Sequence, residues 1–101
     1  MLTIHACRVC GLIEEDVLPW GDDGETPSFD FCSCCGVEFG NGDQDDVAAE
    51  NWRQEWLRAG ATWAKPAAKP ADWNVVEQLE NVMPKTEALC LAVALLANRH
   101  D

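Results

Sequence analysis

The apolar positions along this chain change rhythm near its middle. In the first part they come in short alternating runs. Ser28-Phe29-Asp30-Phe31 alternates, Leu2-Thr3-Ile4 does so weakly, and Leu12-Ile13 and Val37-Glu38-Phe39 are brief apolar steps. Such runs predict short strands. Between them, Glu14 to Pro27 is acidic and broken by Pro19, Gly21, Gly24 and Pro27, which predicts a loop or hairpin tip.

After Gly40 the spacing becomes helical. Asp45 or Asp46 can cap a helix over about 47–59, with Gly60 as its stop. Ala48, Trp52 and Trp56 recur at i, i+4 and i+8, which marks the inward face. A Pro-punctuated connector, 61–70, leads to a second helix over about 73–82, capped by Asp72 and ended by Pro84. A third helix, capped by Thr86, runs to about residue 98. It is apolar nearly all round at Leu89, Cys90, Leu91, Val93, Leu95 and Leu96, and so forms a buried centre or half of an interface.

The cysteines give these elements a frame. Cys7-Arg8-Val9-Cys10-Gly11 and Cys32-Ser33-Cys34-Cys35-Gly36 repeat Cys-x-x-Cys-Gly about twenty residues apart. This spacing lets two thiolates of one turn face one ion, and the following glycine opens the turn to positive φ. The expected fold is therefore α+β: an N-terminal zinc ribbon of a short β-hairpin or three-stranded sheet, then about three α-helices. The 101 residues read as a single domain, with the ribbon over 1–42 and the helical part over 43–101. The expected ligands are Cys7, Cys10, Cys32 and Cys35, holding Zn2+, with iron as the other metal that uses such a set. Four protein ligands leave no open position for a substrate or water, which disfavours Lewis-acid catalysis. Cys34 reads as a bystander, and Cys90 as a small core residue. His5 and His100 are not needed as ligands, and the acids of 41–46 are better explained by helix capping than by calcium.

Six cysteines without an export signal favour metal over disulfides and a cytoplasmic location. No apolar run reaches membrane-spanning length. No nucleophile–base pair or phosphate loop occurs, so a non-enzymatic role is expected.

Charge adds a partner class. The formal net charge is −11, and from Val9 to Trp52 there are 12 acids and no Lys or Arg. Such a field repels phosphate backbones and attracts a protein with a basic surface. Direct nucleic-acid contact would need clustered cations, and the N-terminal half has Arg8 alone. The expected partner surface is Glu14, Glu15, Asp16, Trp20, Asp22, Asp23 and Glu25, with Trp20 as its apolar anchor. Trp20 can equally fold back as a lid over a thin core. Trp52, Trp56, Trp63 and Trp73 read as packing between helices and ribbon.

Residues 28–40, from Ser28 through Cys32-Ser33-Cys34-Cys35-Gly36 to Gly40, resemble the bacterial cysteine-rich CPCC family. Residues 52–63 resemble the helix that follows that motif, and Ser33 stands where the family usually has Pro. The resemblance implies a small metal-binding protein, and the family includes candidate immunity proteins of toxin systems. Together with the acidic loop, it makes an immunity protein that occludes a toxin the leading expectation. A zinc-ribbon transcription or nucleic-acid accessory module is the alternative.

Overall fold

In the computed structural model, which describes residues 5–97, three α-helices follow an N-terminal half built from turns. Helix α1 spans Asp46–Arg58, α2 spans Val75–Leu79 and α3 spans Lys85–Ala97, with one 3₁₀ turn at Pro66–Ala68.

The expected zinc ribbon is not formed. Among the described residues there is no β-strand and no sheet, and the one β-type pairing is an isolated antiparallel bridge between Phe31 and Glu38. Two local facts explain why alternation did not become a strand. Phe29 has φ 62°, which breaks extended backbone in the middle of its run. Phe29 and Phe31 are also both exposed, so their alternation marks no buried face. Leu12 and Val37 are used instead to close the cysteine turns, through their carbonyls. The run at residues 2–4 lies outside the described residues.

Helix α1 begins where expected. Asp45 caps it by accepting from the Ala48 N–H at 2.8 Å. Past its end, Gly60 takes φ 105° and donates to the Leu57 carbonyl, while Ala61 N–H returns to Trp56. Its inward face is rotated from the expected one. Ala49, Trp56 and Leu57 are buried, whereas Trp52 keeps 38% of its surface exposed. The reason is Arg53, whose guanidinium occupies the inward position one residue along and is held by backbone carbonyls of the first cysteine turn.

Helix α2 is shorter than its pattern suggests. Asn74, rather than Asp72, caps it by accepting from Glu77 N–H. Trp73 stays outside the helix because its ring packs edge-on against Trp63 at 5.6 Å and Trp56 at 6.3 Å between centroids. Its indole N–H donates to Gln78 Oε1 at 2.7 Å.

Helix α3 follows Pro84 directly and buries Ala88 and Ala92, with Leu91, Leu95 and Leu96 packed against the core. Its outer side, including Leu89, Cys90 and Val93, is exposed. Cys90 is therefore a surface residue and not a core one. The core is continuous from the cysteine turns through Val37, Phe39 and Leu57 to Leu79 and Ala92. The sulfur-bearing turns thus stand where a small protein would otherwise need more hydrophobic mass. No described helix is long and apolar enough to cross a membrane.

Candidate metal centre

The two cysteine turns are built alike. Cys7 N–H donates to the Leu12 carbonyl at 2.8 Å and Gly11 N–H to the Cys7 carbonyl at 2.9 Å. In the second turn Cys32 N–H donates to Val37 at 2.9 Å and Gly36 N–H to Cys32 at 3.1 Å. Both glycines take positive φ, 86° at Gly11 and 78° at Gly36. The repeated sequence has produced a repeated turn, each presenting two thiols to the same point.

That point is a buried cluster of four sulfurs. The Sγ atoms of Cys7, Cys10, Cys32 and Cys35 lie within 4.8 Å of one another. Cys7 to Cys35 and Cys10 to Cys32 are each 3.7 Å. Four thiolates about 2.3 Å from one ion would have tetrahedral edges of about 3.8 Å. The spacing therefore fits a single ion of that size, while being far longer than the roughly 2.05 Å of a disulfide. The cluster is a candidate metal site with a complete, soft donor set.

The thiols are electrostatically strained by one another. Burial, together with hydrogen bonding to Cys32 and Cys34, pushes Cys10 well above the usual thiol range. Hydrogen bonding to Cys10 and Cys32 does the same for Cys7, and Cys35 is raised by Cys10, Cys32 and Cys7. Cys32 moves the other way, since the Cys10, Cys35 and Cys7 thiols stabilise its thiolate. The four thiols cannot all ionise together without a balancing charge. A divalent cation is what would let all four ionise.

The helical half holds the turns from outside. Arg53 donates through Nε to the Val9 carbonyl at 2.7 Å and through a terminal nitrogen to the Arg8 carbonyl at 2.8 Å. These are the two residues between Cys7 and Cys10. Burial pulls the Arg53 guanidinium below its ordinary value, while Glu50 and the Cys7, Cys10 and Cys35 sulfurs oppose that shift. A guanidinium remains cationic throughout. Gln78 donates to the Cys10 carbonyl at 3.2 Å and to Cys34 Sγ at 3.4 Å, and Asn81 to the Gly11 carbonyl at 2.8 Å. On the second turn, the Trp52 indole donates to the Cys35 carbonyl at 3.0 Å, and Ala64 and Lys65 N–H groups to Cys34 and Ser33 carbonyls. Cys34 is buried, is not one of the four clustered sulfurs, and accepts from the Gln78 amide at 3.4 Å. Donors to the backbone around metal-binding thiols orient the ligands and offset their charge.

The expected partner residues divide. Glu15, Asp16, Asp22, Asp23 and Glu25 are exposed, and Glu14 is half-buried, accepting from Ser33 Oγ at 3.3 Å. Backbone donation from Glu25 holds the Asp23 carboxyl below its ordinary value, and the Thr26 hydroxyl and N–H act in the same sense. Trp20 is not an exposed anchor. It is 9% exposed, its indole N–H donates to the buried carboxylate of Asp43 at 3.0 Å, and Arg8 lies 3.7 Å above its ring. Arg8 also donates to the Gly24 carbonyl at 2.9 Å, so one cation ties the acidic loop to the first turn. Trp20 is the lid.

Sequence reasoning missed Arg53, Gln78, Trp52 and Asp43. Arg53 left one trace, a cation on the apolar stripe Ala49–Arg53–Trp56. Asp43 stood among other acids, with nothing in the sequence to mark it as the buried one.

The fold and donor set define a small helical protein closed around a four-cysteine site. Two Bacillus subtilis (strain 168) proteins, both described as uncharacterized, are similar to it. YoaQ is 30% identical over 93 residues, covering 76% of this chain and 72% of YoaQ. YozI is 28% identical over 87 residues, covering 71% of this chain and 72% of YozI. The chain belongs to the family of YoaQ. No family model and no solved structure matches it.

Proposed function

We propose that the chain is a zinc-stabilised acidic binding protein, and that its role is to neutralise a bacterial toxin by binding and occluding it. The observation that carries the zinc assignment is the sealed four-sulfur constellation, in which Cys7, Cys10 and Cys32 are at most 1% exposed and Cys35 is 8% exposed. A closed four-thiolate set whose turns are held by side-chain donors to their backbone carbonyls is the pattern of a structural zinc, whose binding energy is folding energy. Bound there, zinc would crosslink the two turns; Arg53, Gln78 and Trp52 would orient them.

The partner assignment rests on charge and exposure. Glu15, Asp16, Asp22, Asp23 and Glu25 stand on one loop that Arg8 and Trp20 fasten to the metal centre. A fixed acidic loop can enter a basic cleft with fast, steered association. The test is capture of partners from the native cell at low and high salt, followed by expression of each captured protein alone and with this chain. The expected partner is basic, arrests growth when alone and is relieved by co-expression. Relief that persists unchanged after the five exposed acids are replaced by Ser would contradict occlusion by the loop.

A further inference from the structure

With Trp20 buried, the aromatic anchor for a partner must lie elsewhere. A shallow cleft of about 470 Å³ beside the second cysteine turn is lined by Cys35, Ala48, Asn51, Trp52, Glu55 and Trp56. Two indoles form its apolar wall. Glu55 stands at its rim, and Cys35 closes its floor.

We propose that this groove is a docking site for an arginine- or lysine-bearing segment of a basic protein partner. The inference rests on the reading that the partner is basic, and deepens it by naming the anchor point. Three observations carry it. Trp52 is 38% exposed, while its indole N–H is fixed to the Cys35 carbonyl, so the ring is presented at a set angle. Glu55 is the one charged group lining the groove, and its bridge to Arg58 is a surface pair whose side chains are 75% and 54% exposed; such bridges yield readily, so the carboxylate is open to an incoming cation. Finally, the molecule already uses this chemistry on itself. Arg8 covers Trp20 at 3.7 Å and Lys69 lies 5.4 Å from the Trp73 ring, whereas Trp52 has no such cation among the described residues. An incoming guanidinium stacks on the Trp52 ring and reaches the Glu55 carboxylate, while its neighbouring apolar side chain fills the space beside Trp56.

The experiment uses the zinc-loaded full chain, labelled with nitrogen-15, and a short synthetic peptide alternating Arg and Leu. A second peptide replaces each Arg by citrulline, its neutral near-isostere. The Trp52 indole N–H signal should shift with the Arg peptide and not with the citrulline peptide, and Glu55→Lys should weaken binding about tenfold. Trp52→Phe should weaken it as well, and the exposed position of Glu55 keeps the test independent of any folding defect in that variant. Equal binding of the citrulline peptide would overturn the proposal. If Glu55→Lys and Trp52→Phe bind normally while Ser at Asp22, Asp23 and Glu25 abolishes binding, the groove is wrong and the acidic-loop reading stands. If the Arg peptide does not bind, the groove proposal is wrong, while the acidic-loop reading stands or falls on the co-expression test.

Discussion

The Arg53 guanidinium donates through Nε to the Val9 carbonyl at 2.7 Å, so a helix side chain holds the backbone between Cys7 and Cys10. Its second bond, to Arg8, makes the grip bidentate. Arg53→Met keeps most of the buried stem and removes both donors. Leaving two inward carbonyls unpaired should cost about 1–3 kcal/mol, and Arg53→Lys should recover only part of that because an ammonium lacks the planar fork. Denaturant unfolding of the metal-loaded protein measures both. Equal stability of the Met variant would show that the contact does not hold the turn.

Metal binding should be steeply pH-dependent. Cys7, Cys10 and Cys35 are raised above the usual thiol range, whereas Cys32 is lowered. A cation must displace the protons that the raised thiols hold, so affinity rises with pH and stability conferred by the metal is lost as pH falls. Calorimetry in buffers of different ionisation enthalpy should find protons released on binding near neutral pH. Release of none would mean that the thiols are already ionised.

Asp43 is fully buried and accepts from the Trp20 indole at 3.0 Å and from the Gly40 N–H at 2.7 Å. Asp43→Ala should orphan both donors and destabilise by about 1–3 kcal/mol. It should also free the lid, which faster hydrogen exchange of the Trp20 indole N–H, read by NMR, would report. Unchanged exchange would mean that Arg8 alone fixes the ring.

Gly11 should tolerate no side chain. Its φ is 86°, and a Cβ there would run into the Gln78 carbonyl. Gly11→Ala should lose at least the roughly 1–3 kcal/mol of backbone strain, and should push α2 off the first turn. Gly36 has a similar φ, but its nearest neighbour, Ala64 Cβ, is 3.5 Å from that position. Gly36→Ala should therefore be the milder change, and the order of the two melting temperatures checks this.

The parts of the fold that the chain announces are those governed by local chemistry. Cys-x-x-Cys-Gly specifies a turn whose hydrogen bonds close within six residues, and the two copies brought their four sulfurs together. Asp45 and Gly60 likewise act on neighbouring amides and carbonyls. The zinc ribbon failed because strands need a partner at long range, and Phe29 and Phe31 have none beyond one bridge. The inward face of α1 is set by Arg53 and not by Trp52, because two carbonyls of the first cysteine turn satisfy its guanidinium. The cap of α2 moved to Asn74 because Trp73 gains more from Trp63, Trp56 and Gln78 than from a helical turn. The acids of the loop are exposed as their charge suggests, but Trp20 is not exposed with them, because Asp43 accepts from its indole inside the fold.

The central claim is that four cysteines hold one zinc and that the fold depends on it. X-ray absorption at the zinc edge of protein purified without added metal, with elemental analysis of the same sample, tests it most directly. The account predicts one zinc per chain with four sulfur neighbours at about 2.3 Å. Stoichiometric iron, a nitrogen or oxygen neighbour at the ion, or a folded chain without metal would contradict it.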